Sequence, residues 1–261
     1  MPTSTCSYTG NLSTLTSTNL MKIFIINLER STDRRSSMEA RLNELNLAHE
    51  FISAVDGSEK NFLYSDRYDA KKRLFMRGRE LQRGQIANFA SHITLWEKCV
   101  ELNTPIVVLE DDAILKDSFP EAVSVAAQQI NDLGCIRLYG NKLNKHKIVR
   151  ELNDTYKIAL SFFGTTCSNA YAIQPAAAKK LLAHCTQILH SIDVYMNHSY
   201  NHGVPCYVLL PMPVEHDTSR PTTIADRVKS KKTLLQKCVR ELDISYIRLA
   251  TLLTSLRHLK R

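Results

Sequence analysis

No stretch of this 261-residue chain approaches the roughly 20 consecutive apolar residues of a transmembrane helix, which excludes a helical membrane span within it. The first twenty residues lack a basic segment followed by an apolar one, so they do not read as a secretory signal. No CxxC pair occurs either. The seven cysteines (Cys6, Cys99, Cys135, Cys167, Cys185, Cys206 and Cys238) stand singly, mostly among apolar neighbours. That pattern excludes the paired spacing of a zinc motif and favours free thiols in a reducing compartment over a disulfide frame. The expected location is the cytoplasm.

Acidic charge is scarce in one place. Residues 227–261 carry ten Lys/Arg against only Glu241 and Asp243, a local +8 that equals the net charge of the whole chain. The remainder is therefore neutral. A basic tail on a neutral body argues against a nucleic-acid-binding core and for a separate contact with anionic lipid or an acidic partner.

What is present reads as an α/β protein. Ten Ser/Thr crowd residues 1–20 with little apolar material, so this segment is expected to be disordered. The apolar run from Lys22 to Leu28 suits a strand buried on both faces, as in a parallel sheet. A helix over Ser31–Leu47 and a strand over His49–Val55 complete a βαβ unit, ending at the turn pair Asp56-Gly57. The charged stretch 58–83 reads as a surface excursion. From about Gln85 to Leu102, Ile86, Phe89, Ile93, Trp96 and Val100 recur at helical spacing and mark a core-facing stripe. Further elements are expected near 106–110, 119–132, 135–139, 170–173, 176–184 and 206–210. Alternation of this kind gives an open sheet with flanking helices, where ligands gather at the carboxyl ends of the strands. In the tail, Leu235, Cys238, Leu242, Tyr246, Leu249, Leu253 and Leu256 also follow helical spacing, with basic residues alongside. Such a helix suits a membrane surface, and packing against the body is the alternative.

The most informative segment is the apolar run from Ile106 to Leu109, which ends in three adjacent carboxylates, Glu110, Asp111 and Asp112. Strand geometry lets Glu110 and Asp112 point one way and Asp111 another. Like charges this close repel unless a cation compensates, and an oxygen-rich cluster suits Mg²⁺ or Mn²⁺ better than zinc. The competing reading makes Asp111 or Asp112 the cap of a helix through Ala113–Leu115.

Several segments in order resemble glycosyltransferase family 25. They are Phe24–Arg30, Asp33-Arg34-Arg35, Ala54–Gly57, the Leu81-x-x-Gly-x-Ile86 pattern, Ser91-His92-x-x-Leu-Trp96 and Val108–Ala113. Gly164-Thr-Thr, Ala170-Tyr171, Pro175–Ala178 and Ile192–Met196 continue the order. The resemblance covers about residues 22–215. Gln85 stands where family members often carry an acid, and 58–80 and the chain after 218 match poorly. The resemblance implies a GT-A type, Rossmann-like open sheet and a UDP-sugar donor, with galactose ahead of glucose. It also implies a divalent cation, inversion at the anomeric carbon and a lipooligosaccharide or lipopolysaccharide acceptor.

Residue roles follow from what such a transfer needs. For the cation (Mn²⁺ or Mg²⁺) the expected ligands are Asp112, Glu110 and, from a C-terminal segment, His216. Asn27, Arg30 and Arg34 leave the first strand's carboxyl end, and guanidinium forks suit a diphosphate. Asp56, Asp111, Ser91 and His92 are the remaining donor-site candidates; Asp56-Gly57 is equally an ordinary turn pair, and His92 equally a structural histidine. Asp193 is the expected base for the acceptor hydroxyl, with helix capping as its alternative and Asp217 and Glu215 as substitutes. The expected partners are a UDP-sugar, a lipid-linked oligosaccharide and an anionic membrane surface met by the tail at the inner face, with no nucleic acid. Two other functions use the same cluster: a metal-dependent phosphohydrolase or nucleotidyltransferase, and a non-catalytic carbohydrate- or nucleotide-binding module.

Overall fold

The computed structural model of the chain describes residues 21–143, 145–216 and 233–259. The Ser/Thr-rich segment 1–20 and Asp217 lie outside these residues.

The apolar run after Met21 forms β1 (Lys22–Asn27), followed by α1 (Thr32–Glu44) and β2 (His49–Ser53). Next come α2 (Ala70–Arg77), α3 (Arg83–Leu102), β3 (Ile106–Glu110), β4 (Ala113–Leu115) and α4 (Phe119–Leu133). The chain continues through β5 (Cys135–Arg137), the hairpin β6 (His146–Glu151) and β7 (Lys157–Ser161), then β8 (Ala170–Ile173) and α5 (Pro175–His184). It closes with α6 (Ile192–Met196), α7 (Ser199–His202), β9 (Tyr207–Leu210), β10 (Val214–His216) and α8 (Leu234–His258). Eight strands form one mixed sheet in the order β2-β1-β3-β8-β5-β9-β7-β6, in which only β8 and β7 run against the other strands. A second sheet pairs β4 with β10.

Burial on both faces explains why β1 lacks polar alternation. Ile23 and Ile25 join a core with α1 and α4, while Phe24 and Ile26 join another with α3, α5 and α6. In α3 the stripe residues Ile86, Phe89, Ile93 and Trp96 are all buried. The result is a Rossmann-like α/β sheet covered on both sides. The carboxyl ends of the parallel strands β1, β2 and β3 meet at one edge.

Three expectations change. Ala113–Leu115 is a strand paired with Val214–His216, so the carboxylates cap no helix there. The stretch 58–83 is more than a surface excursion: it contains α2, and Phe62 and Arg73 are buried. Arg73 satisfies its guanidinium on main-chain oxygens, donating from Nη1 to Leu189 O at 2.8 Å and from Nε to Arg79 O at 3.2 Å. The β6–β7 hairpin has no counterpart in the sequence reading, because β6 is exposed along most of its length and offers little apolar alternation.

Candidate active site

A cavity of about 570 Å³ opens at the edge where β1, β2 and β3 end. Arg30, Arg34, Asp56, Ser91 and all three carboxylates of the 110–112 run line it, together with Gly57, Arg83 and Asn88. A second cavity of similar size lies between Lys147, Arg150, Lys180 and His258 and contains none of the carboxylate run.

The three carboxylates sit in three different environments. Asp111 is clamped: Asn27 Nδ2 donates to its Oδ2 at 2.8 Å, and Arg34 Nη1 to its Oδ1 at 3.1 Å. The backbone reinforces this, with Asp111 N–H donating to Ile26 O at 3.2 Å. Asn27 and Asp111 therefore tie the ends of β1 and β3 together.

Glu110 faces the opposite way. Its Oε1 lies 3.1 Å from His92 Nε2 and accepts from Ser168 Oγ at 3.2 Å. Burial works to raise its pKa, but hydrogen bonds from His92, Ser168 and Asn88 hold it below the usual carboxylate range. Behind it runs a buried polar chain. Trp96 Nε1 donates to Tyr171 Oη at 3.0 Å, and that hydroxyl lies 2.9 Å from His92 Nδ1. One proton assignment satisfies every member: the Tyr171 hydroxyl donates to Nδ1, and the His92 Nε2–H donates to Glu110. His92 is fully buried and does not line the cavity. Its partner on the cavity side is Glu110.

Asp112 is the carboxylate with spare capacity. Its Oδ1 is buried without a hydrogen-bond partner, and its Oδ2 lies 3.6 Å from His216 Nδ1. The register of β10 on β4 sets His216 opposite Ala113 and so beside Asp112. Burial, and then the Glu110 charge, push Asp112 up to about 6. An orphaned oxygen, a neighbouring imidazole and an adverse field are what a divalent cation would relieve. Among the described residues, no group of three His, Cys, Asp or Glu side chains closes into a preformed metal centre. Two protein ligands suit a hard cation that fills its shell with water and substrate phosphate. Asp112 Oδ1 is left without a partner, whereas Glu110, which also lines the cavity, has its Oε1 held by His92 and Ser168.

At the cavity mouth Arg30 pairs with Asp56. Asp56 also accepts from Ser58 N–H at 2.8 Å, and these contacts, Ser58 first, hold its pKa down. Ser91 fixes the same turn, accepting from Val55 N–H at 2.9 Å and donating to Ala87 O at 3.0 Å. Arg83, which the sequence reading passed over, donates from Nε to Gly57 O at 2.8 Å. The signal for it was Gly57 itself, because a Cβ there would stand 2.8 Å from the Arg83 carbonyl carbon and oxygen. Gly57→Ala should therefore push the Asp56 turn off the start of α3 and weaken nucleotide affinity about tenfold by calorimetry, with overall stability changing less. Gln85 takes part in the capping box of α3, opposite Gln82.

Asp193 does not line the cavity. It sits in the first turn of α6, where a carboxylate complements the helix N-terminus. Glu215 forms a surface ion pair with Lys116 at 3.0 Å. The expected base is thus not brought to the cavity lined by the carboxylate run.

The family model "Glycosyltransferase family 25 (LPS biosynthesis protein)" matches residues 20–196, more than half of the chain. A glycosyltransferase 25 family member of Aedes aegypti is 34% identical over 125 residues, 43% of this chain and 19% of that protein. The corresponding Anopheles gambiae protein is 39% identical over 104 residues, 36% of this chain and 17% of that one. The human protein named inactive glycosyltransferase 25 family member 3 is 30% identical over 183 residues, 62% of this chain and 28% of that one. Each match spans less than a third of the relative's length. By the family match and the ordered site segments alike, the chain belongs to glycosyltransferase family 25.

Proposed function

We propose that this chain transfers a hexose, galactose ahead of glucose, from a UDP-sugar to a lipid-linked oligosaccharide of the lipooligosaccharide type, with inversion. The observation that carries the reading is Asp112, a buried carboxylate with an unpartnered oxygen beside His216, at the edge where three parallel strands end. Sugar-nucleotide transfer needs a site that holds negative charge at the departing diphosphate. A divalent cation held by Asp112 and His216 would supply the positive charge there.

The chain's own groups do the rest. Arg34 is fixed by Asp111 at the cavity wall, and Arg30 stands more exposed at the mouth. Guanidinium forks at these positions suit the two phosphates. Ala54, Val55, Leu81 and Ala87 give the cavity an apolar side that fits a base, and Asp56 lies within reach of polar groups on that nucleoside. The polar chain from Trp96 through Tyr171 and His92 keeps Glu110 ionised and immobile beside Asp112. The family description, an LPS biosynthesis protein, supports the acceptor class and work at the inner membrane face.

The test is a panel of UDP-sugars with Mn²⁺, following UDP release with and without an oligosaccharide acceptor. Release that is selective for one donor and lost with EDTA supports the reading. Four mammalian relatives are named inactive or probable inactive, which favours a second reading, a binding module without turnover. UDP binding with no release from any donor and acceptor pair is its signature.

A further inference from the structure

α8 docks on the body by one face and leaves a stripe of leucines exposed on the other. Its fully buried residues are Thr251 and Ser255, Ile244, Ile247 and Leu252 are half-buried, and Ser255 Oγ reaches Phe162 O at 3.5 Å. The attachment is completed by the ion pair of Arg77 Nη2 with Asp243 Oδ2 at 2.7 Å and an edge contact of Tyr200 with Tyr246 at 5.7 Å. A separate apolar set faces outward: Leu235, Leu242, Leu249 and Leu253 are each at least half exposed, and Leu256 is 41% exposed. At about 100° per residue these five fall within an arc of about 60°, opposite Thr251. This is the stripe read from the sequence, and the structure turns it away from the core.

A surface helix ordinarily buries such a stripe, and a long exposed one marks an interaction face. The stripe runs over five turns, and α2, packed beside α8, adds exposed Leu74 and Phe75 nearby. Arg248 and Arg257 flank it on either side and are exposed, as is Lys237. Their long stems can lie along an apolar surface while their charges stay in water. The charge balance chooses between occupants. α8 itself carries Lys237, Arg240, Arg248 and Arg257 against Glu241 and Asp243, and Asp243 is taken up by Arg77 of the body, so a second copy would bring like charge against like. An anionic lipid surface offers both an apolar layer for the leucines and opposite charge for the arginines.

We propose that α8 is an interfacial helix, pinned to the body by the face opposite its leucines, which seats its leucine stripe in an anionic bilayer surface. This deepens the lipid-linked acceptor reading and rests on it for its biological sense, but vesicle binding is measured without turnover. It therefore fails or stands separately from the transferase assignment.

The experiment is flotation with vesicles of phosphatidylethanolamine and phosphatidylglycerol, against vesicles of phosphatidylcholine alone. The full chain is compared with the triple variant Leu242→Gln, Leu249→Gln, Leu253→Gln. Wild type should float with the anionic vesicles and at least about tenfold less with phosphatidylcholine or as the variant. Circular dichroism, Tm and UDP affinity should not differ between the two proteins, since the three side chains are solvent-facing. Equal flotation of variant and wild type, or no flotation of wild type, overturns the proposal. So does a wild-type dimer in size-exclusion chromatography that the variant abolishes without any vesicle binding.

Discussion

Asp112→Asn is expected to lose about a thousandfold or more in donor-dependent turnover while making the apo protein more stable. The two effects have one cause. In the folded chain burial and Glu110 raise the Asp112 carboxyl to about 6, whereas its ordinary value is 3.8. A raised carboxyl contributes stability that is full below the unfolded value and is lost as the pH rises through about 6. At neutral pH the ionised group therefore works against folding, unless a cation compensates it. Asparagine removes that cost, on the order of 1–3 kcal/mol, and should raise Tm by a few degrees. It also removes the charge that a cation needs. Adding Mn²⁺ should raise Tm in the wild type and leave the variant where it was. Below about pH 6 the wild-type response should fade as Asp112 protonates. Scanning calorimetry of both proteins, with Mn²⁺ and with EDTA, checks all three statements. A variant less stable than wild type would mean that Asp112 is a structural residue.

Asp111→Ala is expected to cost about 3–5 kcal/mol in urea denaturation, the opposite sign to its neighbour. Both oxygens of Asp111 are engaged, by Asn27 Nδ2 and Arg34 Nη1. The Arg34 and Asp111 side chains are 17% and 11% exposed, too buried for water to replace the lost pair fully. Truncation removes the Arg34 ion pair and the Asn27 contact and loosens the join between β1 and β3. Asp111→Asn keeps one acceptor and should cost less, and Asn27→Ala, which removes one donor and leaves the ion pair, less again. Nucleotide affinity should fall in the same order, because Arg34 is aimed by Asp111. Equal stabilities across the three variants would remove Asp111 from this role. Opposite signs at adjacent carboxylates form a sharper test than either change alone.

The positions of these side chains explain what was legible in the sequence. β1, β3, β8 and α3 are buried along their whole apolar face, so composition and spacing carried them. The carboxylate run and the residues after β1 were found because strand ends in an open sheet collect ligands, and they do line one cavity. Their division of labour was not legible. Glu110 and Asp112 share a strand parity, yet Glu110 turns to His92, 18 residues away in sequence, and Asp112 to His216. Only the three-dimensional pairing of α3 with β3 and of β10 with β4 decides that. Asp193 was ambiguous for another reason: a helix-start carboxylate looks the same in sequence whether it faces a substrate or its own helix start. For α8 the periodicity was plain, but which face meets the body depends on Arg77 and Asp243 finding each other across the fold.

The most direct measurement is calorimetric titration of UDP into wild type and Asp112→Asn, each with Mn²⁺ and with EDTA. UDP should bind wild type tightly only with Mn²⁺ and bind the variant weakly in both conditions. UDP affinity that is unchanged by EDTA or by the substitution would contradict a cation-assisted diphosphate site at Asp112.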